Sequence, residues 1–295
     1  MPAWKVWLLA IRPKTLPAAV GPVLAGWGLA VHDGVFRWGP ALAALAGGLL
    51  LQIGANLAND VADFRRGADS GERLGPVRVT QAGLLSPQAV QRGMVVAFGL
   101  AALVGLYLIA VAGWPVAAIG LTAILAAIGY TGGPWPYGYY GLGDLFVFLY
   151  FGLAAVGGTY FVQAGAFSPR VWWAAAALGL LSVALLVVNN LRDIPTDRKA
   201  GKRTLAVLLG ARGARGEYDL CLWGAYGLIT LAVLRGDYPP AALLVWLSLP
   251  WAWQARGVVY HQTGRALNAA LARTGQLVLI FGALLALGLS VRVGY

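Results

Sequence analysis

The chain has 295 residues, 59% of hydrophobic types and 11% charged, with 22 Lys and Arg against 11 Asp and Glu for a net charge of +11. A soluble domain carries about 25% charged and 45–50% apolar residues, so a water-soluble globule is excluded, and the same low charge and high apolar content exclude disorder. One cysteine, Cys221, permits no intrachain disulfide, and with two histidines the chain cannot assemble a His/Cys zinc cage.

A membrane-crossing helix needs about 20 mostly apolar residues. Runs of that kind lie near 16–31, 40–58, 92–112, 115–130, 142–164, 172–191, 218–234, 240–258 and 274–293. They predict an all-α integral membrane protein of nine transmembrane helices, a single domain over 1–295 with acidic motifs at 56–72 and 189–204. The first run follows Lys5, Arg12 and Lys14, like the charged start of a signal peptide; the further runs behind it favour a first membrane helix. The N-terminus and the 59–92, 192–217 and 256–273 connections hold 18 Lys and Arg, whereas the opposite connections hold four: Arg37, Arg170, Arg235 and Arg292. That imbalance places the N-terminus in the cytoplasm and the C-terminus outside. It also explains the net charge as topology, with no nucleic-acid partner. Small residues within the spans, as in Ala43–Gly48, allow close helix contact where lipid supplies no hydrophobic drive.

The acidic residues are the informative ones. One stretch carries Asn56, Asn59, Asp60 and Asp63, then Asp69 and Glu72; the other carries Asn189, Asn190, Asp193 and Asp197. Asn56, Asp60 and Asp63 share one helix face, as do Asn189, Asp193 and Asp197. Pro195 is expected to kink or end the second helix. Both stretches fall at the cytoplasmic end of a span, and Asn-x-x-x-Asp occurs in each, a weak parallel repeat that sets the two clusters across a shared cavity. Clustered carboxylates repel by about 4 kcal/mol at 4 Å and an effective dielectric near 20, so a cation must sit between them. Arg65, Arg66, Arg192 and Arg198 are candidate counterions. Oxygen-only ligands also suit Mg²⁺, which takes a few carboxylates and completes its shell with water and phosphate oxygens. Arg73 and Arg78 follow the first cluster and Lys202 and Arg203 the second, and both residue types bind phosphate oxygens. Topology alone accounts for loop cations equally well.

These residues resemble the UbiA-type intramembrane prenyltransferases, and within them the MenA branch acting on 1,4-dihydroxy-2-naphthoate. The likeness runs from Arg12-Pro-Lys-Thr-Leu-Pro through Asn59-Asp60-Val-Ala-Asp63 and Tyr130-Thr-Gly-Gly-Pro134. It continues through Gly141-Leu-Gly-Asp144 and Asn189-Asn-Leu-Arg-Asp193 to Gly201-Lys202-Arg203-Thr-Leu. The resemblance implies nine helices around a central cavity and Mg²⁺, two ions, held by Asn56, Asp60, Asp63, Asp193 and Asp197. Asp69 matches the longer first motif of the branch. It further implies a polyprenyl diphosphate bound by Asn56, Asn189, Arg73, Arg78, Lys202 and Arg203. The resemblance alone implies the acceptor, an aromatic ring that loses its carboxylate as CO₂ to give demethylmenaquinone. The 4-hydroxybenzoate branch carries Tyr-x-x-Lys where this chain has Tyr130-Thr-Gly-Gly133, which disfavours that branch.

Breaking an allylic C–O bond develops negative charge on diphosphate, which preorganised cations stabilise, and positive charge on carbon, which aromatic faces shelter. Tyr130, Tyr139 and Tyr140 are candidates for the latter, with an interfacial aromatic belt as the other reading of Tyr139 and Tyr140. The 65–85 and 192–215 connections are long enough to cap the cavity against water. Arg12 and Lys14 fit an acceptor carboxylate or a membrane anchor equally. Asp144 fits a helix cap or a base. Competing functions are a sister enzyme acting on homogentisate, a haem or a chlorophyll precursor, and a cation-coupled transporter. The last is disfavoured because the acids lie at one membrane face. The expected location is the plasma membrane, with the site facing the cytoplasm.

Overall fold

The computed structural model of the protein describes residues 1–67 and 74–291, and every regular element among them is helical. The helices are α1 (Ala3–Ile11), α2 (Pro17–His32), α3 (Trp38–Arg65), α4 (Pro87–Ala112) and α5 (Trp114–Gly129). They continue with α6 (Gly143–Ala164), α7 (Val171–Lys199), α8 (Leu205–Leu234), α9 (Leu249–His261) and α10 (Leu267–Ser290). Their starts follow local chemistry. Pro17, Pro87 and Pro115 occupy first turns, where no N–H is needed. The Ser86 hydroxyl accepts from the Ala89 N–H at 3.2 Å and the Thr204 hydroxyl from the Val207 N–H at 3.3 Å. Pro195 does not end α7, which runs through it to Lys199.

Six helices, α3, α4, α6, α7, α8 and the stretch Gly264–Ser290, are long and apolar enough to cross a membrane. The α1–α2 pair passes the same test together but is bent by 52°, the shape of a broken span or of a re-entrant loop, so the described residues hold six spans, or seven where the pair counts as one. The predicted spans at 115–130 and 240–258 fall on shorter helical stretches, α5 and a 3₁₀ turn (Pro240–Ser248) leading into α9. Outward-facing Leu103, Leu121, Leu220 and Leu234 are 61–80% exposed. In water they would form an adhesive surface; on an integral membrane protein they meet lipid.

The core sits along α7, whose Leu178, Leu181 and Val188 are fully buried against α6, α8 and α10. Close approach is made possible by glycine. A Cβ on Gly152 of α6 would stand 2.7 Å from the Gly179 Cα of α7, and one on Gly282 of α10 would meet the Gly21 backbone of α2. The middle of α6, Phe148–Gly157, is wound as a π-helix. Such wide turns are common at functional sites, and this one lines the interior cavity described below.

Candidate active site

The C-terminal ends of α3 and α7 face each other across a polar cleft of about 120 Å³. Helix α3 contributes Asn59 and Asp63, and α7 contributes Asn189, Asn190, Asp193, Thr196 and Asp197. Arg12, Arg78, Tyr130, Tyr139 and Lys202 close the walls from four connecting segments. Arg12 is the one non-glycine residue at positive φ (56°) among the described residues. Left-handed backbone costs a non-glycine residue about 1–2 kcal/mol, and the strain turns the chain from α1 towards α2 right at the cleft.

Lys202 stands between the two acidic helices, its Nζ 3.7 Å from Asp63 Oδ1 and 3.7 Å from Asp197 Oδ1. Asp63 is 1% exposed and also accepts from Arg78 Nη2 at 2.5 Å and from the Tyr139 hydroxyl at 3.0 Å. Asp193 is gripped by Arg192, whose Nε and Nη2 donate to its two oxygens at 2.8 and 2.6 Å. The same guanidinium donates to Asn189 and Asn268, and Asn268 donates to the Leu74 carbonyl at 2.9 Å, tying α10 to the segment over the cleft. Of the four arginines proposed as counterions, Arg192 alone is paired with a cleft carboxylate among the described residues. Arg65 donates to Gln91, and Arg66 to the Gly133 carbonyl. The Tyr139 phenol is pushed up, first by burial and then by the nearby Asp63 charge, so its ring is a neutral hydroxyl donor.

The first motif contains two Asn-x-x-x-Asp registers, and the structure separates them. Asn59 and Asp63 line the cleft. Asn56 and Asp60 turn to the neighbouring side of α3. Asp60, 1% exposed, accepts from the Val79 N–H (3.2 Å), the Thr80 N–H (3.3 Å) and the Thr80 hydroxyl, with Arg12 Nη2 at 3.6 Å. Its carboxylate thus pins the 78–80 segment over the cleft. Asn56 donates to the Ile11 carbonyl and Thr15. Asp69 and Arg73 lie outside the described residues. The Arg203 side chain is exposed; its backbone N–H donates to the Tyr139 carbonyl at 2.8 Å. Tyr140 is 54% exposed and stacked on Trp135, as a membrane-surface aromatic would be, whereas Tyr139 turns inward. Asp144 sits one step inside α6 rather than at its cap position, with one carboxylate oxygen lacking a partner among the described residues. Sequence reading gives no role to Asn59, Thr131 or Asn268, and leaves Tyr139 between the site and the aromatic belt. For Asn59 the available signal is its spacing to Asp63, identical to that of Asn189 to Asp193.

Below the cleft lies an apolar cavity of about 820 Å³, lined by α3, α4, α5 and the π-wound part of α6. Arg12, Asn59, Tyr130 and Asn189 belong to both walls. No three Asp, Glu, His or Cys side chains converge on one point among the described residues. A cation here therefore has one or two carboxylates and amide oxygens on offer, the hard-oxygen, few-ligand set that suits Mg²⁺ sharing its shell with phosphate.

The UbiA prenyltransferase family model matches residues 19–274. The chain belongs to the UbiA prenyltransferase family. It is 40% identical to the 1,4-dihydroxy-2-naphthoate octaprenyltransferase of Escherichia coli (strain K12), across 97% of this chain and 95% of the relative. It is 41% identical to the protein of the same name from Mycobacterium tuberculosis, across 95% of both. The fold is shared with the apo UbiA homolog from Aeropyrum pernix K1 (TM-score 0.72, 18% identity, 92% of this chain and 97% of that one). It is shared too with a UbiA homolog from Archaeoglobus fulgidus, solved bound to GPP and Mg²⁺ (TM-score 0.67, 13% identity, 95% and 99%). A UbiA-family chain is a prenyltransferase, and the cleft and cavity are where its chemistry is to be sought.

Proposed function

We propose that this enzyme transfers a polyprenyl group from a prenyl diphosphate to 1,4-dihydroxy-2-naphthoate, releasing diphosphate and CO₂ and forming demethylmenaquinol, the hydroquinone form of demethylmenaquinone. The observation that carries the reading is the shared wall. A prenyl diphosphate is a charged head on a long hydrocarbon. Its head fits the cation- and oxygen-lined cleft, its chain fits the apolar cavity, and its scissile C–O bond then falls at Arg12, Asn59, Tyr130 and Asn189. The relatives named above carry the acceptor and octaprenyl specificity in their names.

Asp63, Asp193 and Asp197, with the amide oxygens of Asn59 and Asn189, would hold Mg²⁺, two ions in our reading. Bound Mg²⁺ supplies positive charge to the departing diphosphate. Lys202 and Arg78 add charge-assisted hydrogen bonds to the same oxygens. As the allylic C–O bond breaks, the Tyr130 ring shelters the allylic cation. The electron-rich ring carbon attacks it, and the C–CO₂⁻ bonding pair returns to the ring as CO₂ departs, so attack at the carboxylate-bearing carbon requires no base. The 74–80 and 200–204 segments keep water from the cation.

We read nine crossings, counting the shorter helices α5 and Pro240–His261 beside the six long apolar helices and the bent α1–α2 pair, with the N-terminus and the cleft at the cytoplasmic face of the plasma membrane by the excess of Lys and Arg on that side. Arg37, Arg170 and Arg235 gather at the far end, on Gln163, Asp33 and Asp237. Trp135→Cys should accordingly be shielded from impermeant thiol reagents added outside cells and Ala166→Cys labelled; the reverse pattern sinks this orientation. For the reaction, purified enzyme with Mg²⁺, octaprenyl diphosphate and the naphthoate should give the decarboxylated prenyl product by mass. EDTA should abolish turnover and Mg²⁺ restore it. Absence of that product, with activity on another phenol, would overturn the acceptor assignment.

A further inference from the structure

One polar island stands in the apolar cavity apart from the cleft. The Gln52 Nε2 lies 3.4 Å from both Thr15 Oγ1 and Asn56 Oδ1. Asn56 Nδ2 donates to Thr15 Oγ1 at 2.9 Å, and the Thr15 hydroxyl gives its proton to the Arg12 carbonyl at 2.9 Å. Thr15 and Asn56 thus both present acceptors to Gln52, which fixes its amide with the nitrogen towards them. The Gln52 Oε1 is left enclosed, with no hydrogen-bond partner among the described residues. An amide oxygen without a donor inside a membrane span is costly, and a leucine of similar size would line the wall without that cost. A bound molecule that brings a donor removes the conflict.

We infer that Gln52 accepts a hydrogen bond from a ring hydroxyl of the aromatic acceptor and so selects hydroxylated rings. The inference rests on the acceptor reading given above. Its amide reaches back to the level of Asn56, three residues and about 4.5 Å of helix rise from Asn59, which stands at the boundary with the cleft. A ring whose reacting carbon sits at that boundary has its adjacent hydroxyl within reach of Oε1. The cavity wall around Gln52 is otherwise formed by small and apolar side chains such as Val23, Gly48 and Leu51, so the contact is one of few that distinguish a hydroxyl from an ether.

The test is equilibrium binding to the purified full chain in detergent, under anaerobic conditions, read by tryptophan fluorescence. The probes are 1,4-dihydroxy-2-naphthoate and its 1,4-dimethoxy analogue. Gln52→Met, matched in size, should weaken binding of the dihydroxy compound about five- to thirtyfold. The dimethoxy compound and the KM for prenyl diphosphate should each change less than about twofold. If Gln52→Met fails to fold, Gln52→Asn, which withdraws the oxygen by one methylene, should give the same selective loss. Wild-type binding of the naphthoate with an unchanged variant, or equal weakening of both probes, overturns the inference alone. Failure of the wild type to bind and prenylate the naphthoate overturns the acceptor reading and this inference with it.

Discussion

The cleft and the cavity share Arg12, Asn59, Tyr130 and Asn189, yet they are held open by different forces. In the cleft every described carboxylate has a cationic partner: Asp63 with Arg78 and Lys202, Asp193 with Arg192, Asp197 with Lys202. Like charges that would otherwise repel are locked into one arrangement, which an arriving cation and diphosphate can take over by exchange. The cavity is open because its walls carry Gly47, Gly48, Gly105, Gly120 and Gly158 together with alanines. It has no fixed partners to exchange and accommodates a chain by shape alone. Substitutions in the cleft should therefore act on bond breaking, and those along the cavity's glycine- and alanine-rich wall on which chain is accepted.

The largest effect is expected at Asp63. Asp63→Asn keeps the shape but removes a carboxylate facing Arg78, Lys202 and Tyr139, and turnover should fall at least about a hundredfold. Asp60, one helical turn away, is the contrast. Asp60→Asn retains one acceptor for the Val79 and Thr80 N–H groups, so it should lower stability by about 1–3 kcal/mol and leave kcat within about tenfold. Thermal unfolding and steady-state rates on both variants decide this. Equal catalytic losses would mean that Asp60 leaves the 78–80 segment to bind metal during the cycle.

Next comes Lys202. Lys202→Gln loses a charge-assisted contact worth about 1.5–3 kcal/mol, so kcat/KM for the prenyl diphosphate should drop roughly ten- to a hundredfold. The acceptor KM should hardly move. Parallel loss toward both substrates, with a normal melting temperature, would instead mark a general collapse of the 200–204 turn. The candidacy of this residue is legible in the chain itself, because Gly201-Lys202-Arg203-Thr204 follows the second acidic motif. Its position between the two helices is not, since that depends on how α3 and α7 meet.

The same divide runs through the rest of the molecule. Helices and their ends are readable from apolar runs and loop charge, which are local in the chain. The choice between Asn56/Asp60 and Asn59/Asp63 is not readable, because the two registers differ by only about 60° around α3 at 100° per residue. Which of them meets α7 is a matter of packing. The cavity is the least legible feature, being made by residues whose side chains are nearly absent. A third prediction addresses it. Gly120 lines the cavity and has open space where a Cβ would stand. Gly120→Trp should reduce kcat/KM for octaprenyl diphosphate about tenfold or more while geranyl diphosphate is used within about twofold of normal, by the methylene-scale discrimination apolar pockets give. A loss independent of chain length would show that Gly120 serves helix packing and not chain accommodation.

The smallest effect separates two neighbours in sequence. Arg203 adjoins Lys202 and shares its charge, but its side chain is exposed, and its backbone N–H donates to the Tyr139 carbonyl. That bond couples the 200–204 turn to the loop that presents the Tyr139 hydroxyl to Asp63. Arg203→Gln leaves the N–H in place, and a surface exchange of this kind is worth within about 0.5 kcal/mol, so both rate and stability should stay within about twofold of normal. Arg203→Pro deletes the N–H and frees the Tyr139 loop, and it should lower kcat even where the chain still folds and inserts. Measuring the pair separates charge from backbone. If Arg203→Gln proved as damaging as Lys202→Gln, the guanidinium would have to swing into the cleft when diphosphate binds, and the cleft would be a closing site rather than a preformed one.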